Sequence, residues 1–152
     1  MPAVSVSTPI AAPVAEVFAL FTDLKNAPGR VKAIKRIELL TNGPVGVGTR
    51  FRETRVMFKR DTTEEMEITE FEPNRRYTVS ADSCGAHFTS TFHFRPEDDG
   101  TVVTLEINSK PVSLLAKLLS PLAGLMKGMM LKCVQQDLND LKAVAESTAR
   151  TA

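Results

Sequence analysis

The 152-residue sequence has no tryptophan, one tyrosine and only two cysteines. Cys84 and Cys133 are too few for a disulfide framework or a zinc ligand set, so we expect free thiols in a reducing cytoplasm. Because 19 Lys+Arg oppose 18 Asp+Glu, the net charge of +1 offers no support for nucleic-acid binding. The first residues, Met1 to Ser5, lack the basic and apolar stretches of a signal peptide. These absences favour a cytoplasmic protein.

The composition is that of an ordinary globular domain. Hydrophobic residues make up 43% of the chain and charged residues 24%, with 8 Gly and 9 Pro. Neither a disordered nor a fibrous chain has this balance. The sequence shows no internal repeat, low-complexity tract or linker. We therefore expect one domain over residues 1–152.

The first thirty residues predict a strand and two helices. Val4, Val6 and Ile10 alternate with polar residues, and Pro9 places this strand at a sheet edge. Behind Pro13 the apolar residues take a helical spacing that predicts a helix of about three turns. The turn chemistry of residues 26–29 leaves room for a second short helix near 24–30.

Six consecutive strands and a long helix follow. Apolar alternation predicts strands over 31–40, 49–58 and 64–70, and then around 77–81, 88–94 and 103–107. No segment between them is long enough for a crossover helix, so the sheet must be antiparallel. From Ser120 to Glu146 the spacing becomes helical, which gives a rod of about 39 Å. Such a rod can lie across a whole sheet.

This element order resembles the helix-grip fold of the SRPBCC superfamily, which includes START-related domains, the birch-pollen-allergen (Bet v 1-like) fold and polyketide cyclase/dehydrase-like proteins. The segments that carry the resemblance extend over nearly the whole chain, and they are residues 9–18, 46–50, 71–77, 100–104 and 138–142. The chain departs from many relatives in having no tryptophan after the second helix. The resemblance implies an α+β domain in which a curved antiparallel sheet, in the order β-α-α-β6-α, wraps around a long C-terminal helix.

The family resemblance also implies a cavity between the sheet and the long helix. Strand and helix phase assign the residues that face it, with plain core packing as the alternative for each. The apolar and aromatic candidates are Phe51, Met57, Met66, Ile68, Tyr77, Val79, Phe88, Phe92, Leu105, Met126, Met129, Met130 and Val134. Three clustered methionines on the helix favour a pocket, because methionine adapts to variable apolar shapes.

Three charged residues fall in phase with this apolar set. If Phe51 and Met57 point inward, Glu53 and Arg55 do so as well. At about 100° per residue, Asp137 lies on the apolar side of the long helix. Since burying an isolated charge is costly, we expect Glu53, Arg55 and Asp137 to pair with one another or with a ligand's polar end. The alternatives are an ion pair that only tolerates burial, or a β-bulge that turns Glu53 outward.

Other apparent motifs carry little chemistry. His87 and His93 are about 20 Å apart along one strand, too far for one metal, and they lie opposite Phe88 and Phe92. The glycines at 43, 46 and 48 lack dinucleotide-binding spacing. The apolar segment 114–119 is too short to span a bilayer and more readily forms a lid or an entrance to the cavity. We therefore expect no metal, no redox cofactor and no stable membrane insertion.

The leading hypothesis is that the cavity binds a small hydrophobic molecule of lipid, polyketide or aromatic type. A second hypothesis is a polyketide cyclase/dehydratase-like enzyme in which Glu53 or Asp137 moves protons. A third is a protein-interaction module whose cavity is packed shut. The expected partner is thus a small hydrophobic molecule and not a nucleic acid, and a homodimer is left open.

Overall fold

The computed structural model describes residues 4–57, 59–83, 86–111 and 123–151, with the side chains of 83, 111, 123–126, 150 and 151 left out. The elements in chain order are β1 (Val4–Ile10), α1 (Val14–Thr22), the 3₁₀ helix (Leu24–Gly29), β2 (Ile34–Leu39), β3 (Arg50–Met57), β4 (Arg60–Glu72), β5 (Arg76–Ser83), β6 (Ala86–Glu97), β7 (Gly100–Pro111) and α2 (Ala123–Thr151).

The seven strands form one sheet in the order β1-β7-β6-β5-β4-β3-β2. Every neighbouring pair is antiparallel, and β1 lies at one edge beside β7, as the proline in this strand predicts. A long C-terminal helix packs against this sheet, which confirms the predicted helix-grip architecture. Among the described residues no helix is long and apolar enough to cross a membrane.

Several predicted boundaries were wrong, among them both ends of β4, which runs from Arg60 to Glu72 and not over 64–70. Strand β2 begins at Ile34 and not at Val31, because residues 30–33 connect the 3₁₀ helix to the strand and the Val31 N–H donates to the Ala27 carbonyl at 2.9 Å. Helix α2 continues past Glu146 to Thr151, because nothing in its last residues, 147–151, breaks a helix. The predicted start at Ser120 and the predicted lid at 114–119 lie outside the described residues.

Two register shifts change which residues face inward. One lies in β2 between Ile34 and Arg36, and the other in β4 between Ile68 and Glu70. A bulge inserts one residue into the alternation, so inward positions on either side become three residues apart. This is why Ile34 and Ile37 both face the interior.

A cluster of aromatic rings joins α1 to the sheet. The Phe18 ring meets Phe71, Tyr77 and Phe94 edge to face, with centroid distances of 5.3, 6.0 and 5.0 Å. Phe21, one turn further along α1, contacts Phe94 in the same way at 5.3 Å. Edge-to-face contacts of this kind add to the energy of apolar burial. They fix α1 as a wall at one side of the sheet.

Polar contacts fasten the second half of α2. The Asp140 carboxylate accepts hydrogen bonds from the backbone N–H of Lys32 at 2.9 Å and from Gln136 Nε2 at 2.7 Å. One turn and a half further on, Glu146 accepts a hydrogen bond from the Ala11 N–H at 2.8 Å. The helix is therefore held at two points along its length, which places the side chain of Asp137 over the concave face of the sheet.

Candidate functional site

A cavity of about 320 Å³ lies between the concave face of the sheet, α1 and α2. Its wall is mostly apolar. Thirteen of the sixteen predicted site residues line it, namely Phe51, Glu53, Arg55, Met57, Met66, Tyr77, Val79, Phe88, Phe92, Leu105, Met130, Val134 and Asp137. Strand parity placed those on β3, β5, β6 and β7 correctly because the register has no shift along these strands, and helical phase placed those on α2.

Three predicted residues are not placed on the wall. Ile68 points inward but is fully buried in a small core cluster with Leu24 and Phe51. Met129 is 49% exposed, because it lies about 100° around α2 from Met130 and so leaves the inner face. The side chain of Met126 lies outside the described residues.

The structure adds wall residues that sequence reasoning missed. Six of them come from α1, the 3₁₀ helix and β2, and no sequence periodicity reveals how far these elements lie from the sheet face. The added residues are Leu20, Phe21, Leu24, Ala27, Val31, Ile34, Ile37, Thr62, Glu64, Ala81, Ser90, Cys133, Leu138 and Leu141. Glu64 had a signal that could have found it, since it shares parity with Met66 and lies opposite Glu53 in the β3–β4 register.

The charged residues of the cavity are joined through one guanidinium. Arg55 Nε donates to Glu53 Oε1 at 2.6 Å, and Arg55 Nη2 donates to Asp137 Oδ2 at 2.9 Å. The three side chains are 10–21% exposed. Burial acts to lower the pKa of Arg55, but the attraction of both carboxylates outweighs it and the pKa is raised. Arg55 therefore stays charged and links β3 to α2 across the cavity.

The inward position of Glu53 follows from an unbroken strand. In the β3–β4 register each residue from Arg50 to Met57 has a partner in sequence, so no bulge rotates Glu53. The irregularity on the other side lies in β2 and leaves Ile37 opposite Glu53. The alternative of an outward Glu53 is thus wrong, and the residue is only 8% exposed.

Tyr77 supplies a flat apolar wall beside these charges. Its ring stacks on Phe92 with a centroid distance of 4.7 Å and an interplanar angle of 18°. The hydroxyl donates a long hydrogen bond of 3.5 Å to the Phe21 carbonyl. Burial, together with the charge of Glu53, strongly raises the pKa of Tyr77. The hydroxyl therefore stays neutral, and the side chain forms part of the cavity wall.

One oxygen of Asp137 has no partner. Among the described residues, Oδ1 of Asp137 is a buried side-chain oxygen without a hydrogen bond. Burial raises the pKa of Asp137 above its ordinary 3.8, Arg55 opposes this, and Glu53 and Asp140 reinforce it. Buried acceptors are nearly always satisfied in native proteins, so this oxygen is an exception among the described polar atoms of the cavity wall.

The raised pKa of Asp137 predicts a pH dependence of stability. The folded state holds this proton more tightly than the unfolded chain, whose pKa is the ordinary 3.8. Stability from this group is therefore full below pH 3.8 and is lost as pH rises through the raised pKa. Urea unfolding across this range should show that loss in the difference between wild type and Asp137→Asn. A flat difference curve would contradict the prediction, and Asp99→Asn, in the exposed β6–β7 turn, controls for net charge.

The two histidines lie outside this site. His87 bonds Asp82 at 2.7 Å and His93 lies 3.8 Å from Glu106, and both histidine side chains are about two-fifths exposed. They occupy the outer face of β6, as their parity predicts. In the described part of the chain, no three His, Cys, Asp or Glu side chains are grouped so that they could hold a metal ion.

Similar folds occur among solved structures of low sequence identity. The protein TTHA0849 from Thermus thermophilus is 22% identical with a TM-score of 0.76, and the match covers 96% of this chain and 98% of that one. The ginseng major latex-like protein 151 from Panax ginseng is 13% identical, with a TM-score of 0.75 and coverage of 93% and 95%. At these identities the likeness shows the fold alone.

A further structural likeness involves part of a larger protein. The di-domain ARO/CYC StfQ from the steffimycin biosynthetic pathway is 14% identical with a TM-score of 0.74, and the match covers 96% of this chain and 51% of that one. None of the curated proteins matches the sequence. The family model described as "Polyketide cyclase / dehydrase and lipid transport" matches residues 1–146. The chain therefore belongs to this family of the SRPBCC superfamily.

Proposed function

We propose that this protein binds a small, largely apolar molecule in the cavity between the sheet and α2. The observation that carries the proposal is the cavity itself, about 320 Å³ in volume, with an apolar wall and one polar end. A dry apolar cavity of roughly 150 Å³ is large enough for benzene, so this one has room for a bicyclic molecule. Arg55, Glu53 and Asp137 would orient the ligand's polar group, while Tyr77 and Phe92 contact its apolar body.

The open cavity weighs against an interaction module that is packed shut. Cores are close-packed and leave few voids larger than a water molecule. A void of this size, lined by side chains from six strands, α1, the 3₁₀ helix and α2, therefore favours a small-molecule ligand. The family description, which includes lipid transport, supports the same interpretation.

A cavity-filling substitution tests the proposal. Ala81 lines the cavity opposite Phe88, and a phenylalanine there would occupy part of the ligand volume. We expect Ala81→Phe to weaken naphthalene binding by at least about tenfold while the protein stays folded. Because Tyr77 is the sole tyrosine and there is no tryptophan, quenching of tyrosine emission reports occupancy of this cavity directly.

Ala19→Phe provides the matched control for this substitution. Ala19 lies on the exposed face of α1, away from the cavity, so this variant should bind naphthalene as wild type does. Unchanged quenching in Ala81→Phe, or no saturable quenching in wild type, would argue against binding in this cavity.

A second candidate function is proton transfer to a bound polyketide-like substrate. It rests on Asp137, whose pKa burial raises and whose Oδ1 faces no partner among the described residues. A carboxyl with a raised pKa can act as a general acid or base near neutral pH. The test is to incubate the protein with a polyketide-like molecule, extract that molecule and compare its mass before and after. A changed mass would favour proton-transfer catalysis, whereas an unchanged mass favours binding alone.

A further inference from the structure

The lining of the cavity carries an excess of negative charge. Two carboxylates, those of Glu53 and Asp137, share a single guanidinium, that of Arg55, which is the sole cationic side chain among the described lining residues. Arg55 already forms ion pairs with both Glu53 and Asp137. An anionic ligand would therefore meet more repulsion than attraction at the polar end of the cavity.

The unpartnered oxygen of Asp137 specifies what this end accepts. Asp137 uses Oδ2 to bind Arg55, and its other oxygen, Oδ1, is buried without a hydrogen bond among the described residues. A carboxylate oxygen can only accept, so its natural partner is a donor. An ammonium group would provide a donor but would lie beside the Arg55 guanidinium that shares the same carboxylate, whereas a hydroxyl adds no positive charge there.

We propose that the cavity selects ligands whose polar end is an uncharged hydroxyl group, which donates a hydrogen bond to Oδ1 of Asp137, and that it discriminates against carboxylate ligands. This inference rests on the proposed function, because it names the chemistry of the ligand held in the same cavity. The class includes phenols and long-chain alcohols, and it excludes free fatty acids in their ionised form.

Three probes of nearly equal size test the inference. 2-Naphthol offers a neutral donor, 2-methoxynaphthalene has the same ring without the donor, and 2-naphthoate is an anion at neutral pH. Titration calorimetry at neutral pH, with quenching of Tyr77 emission as a second readout, gives the three affinities. We expect 2-naphthol to bind at least about tenfold more tightly than either of the others, as a hydrogen bond to a charged group requires.

Asp137→Asn tests the role of the oxygen itself. The amide oxygen of the new side chain should turn toward the Arg55 donors, which leaves its NH₂ group at the position of Oδ1. The ratio of the 2-naphthol and 2-methoxynaphthalene affinities should then fall to within about twofold. Asp99→Asn removes the same charge in the exposed β6–β7 turn and should leave the ratio as in wild type.

The outcomes separate the two proposals. Equal affinities for 2-naphthol and 2-methoxynaphthalene, or tightest binding of 2-naphthoate, overturn the selectivity and leave cavity binding in place. Failure of all three probes to bind overturns the proposed function, and the selectivity falls with it. If Asp137→Asn does not fold, the three affinities of the wild-type protein still decide the matter.

Discussion

Replacing Arg55 by methionine should lower the free energy of unfolding by about 3 to 5 kcal/mol. The guanidinium pairs with Glu53 at 2.6 Å and with Asp137 at 2.9 Å, and all three side chains are largely buried. Methionine fills a similar volume but leaves two carboxylates facing each other in an apolar cavity. Removing one member of a buried ion pair is costly because the remaining charge stays desolvated. Urea denaturation at neutral pH measures the loss.

The chain offers a matched control on the same strand. Arg52 lies on the opposite face of β3 and pairs with Glu38 at 3.0 Å, with both side chains about half exposed. Solvent screens this pair, so Arg52→Met should cost no more than about 1 kcal/mol. The triple variant Glu53→Gln, Arg55→Met, Asp137→Asn should recover most of the loss, since it leaves no buried charge. If the Arg55 and Arg52 variants lost equal stability, the cavity charges would not form the buried network described above.

Truncation of Phe18 to alanine should cost about 3 to 5 kcal/mol. The ring is 5% exposed and contacts three other aromatic rings, so its removal leaves a cavity that the rigid sheet cannot close. The same truncation loosens α1, which carries the wall residue Phe21. We therefore expect weaker naphthalene quenching of Tyr77 emission in addition to the lower unfolding midpoint.

Leu39→Ala provides the comparison for Phe18. Leu39 is 43% exposed on the edge strand β2 and should change stability by no more than about 0.5 kcal/mol. A loss of less than about 1 kcal/mol in Phe18→Ala would contradict the role assigned to the aromatic cluster. It would mean that α1 is held to the sheet by other contacts.

Local patterns were sufficient for most of the architecture. Strand alternation and helical spacing depend on the nearest few residues, and here they predict every described strand, although not the exact ends of β2 and β4. The predicted start of β2 at Val31 was wrong because the Val31 N–H bonds to the Ala27 carbonyl of the preceding turn, which side-chain polarity does not reveal. Where the alternation broke at residues 35 and 69, only the register of the neighbouring strands reveals the bulge.

Local periodicity likewise predicted one part of the candidate site and missed another. Parity along β3 predicted Glu53 and Arg55 as inward residues, and helical phase added Asp137. Met129 was misplaced because a cluster of methionines in sequence does not occupy one face of a helix. The wall contributed by α1, the 3₁₀ helix and β2 was missed, because those elements reach the cavity through packing that no local period encodes.

By itself the sequence determined the order of elements, the antiparallel sheet and the inward parity of three charged residues, since each depends on short-range geometry. The tertiary structure alone decided that Arg55 binds both carboxylates, that Oδ1 of Asp137 lacks a partner among the described residues, and that a cavity of about 320 Å³ remains beside them. These features depend on the distance between β3 and α2. That distance is set by how residues more than eighty positions apart in the chain pack against one another.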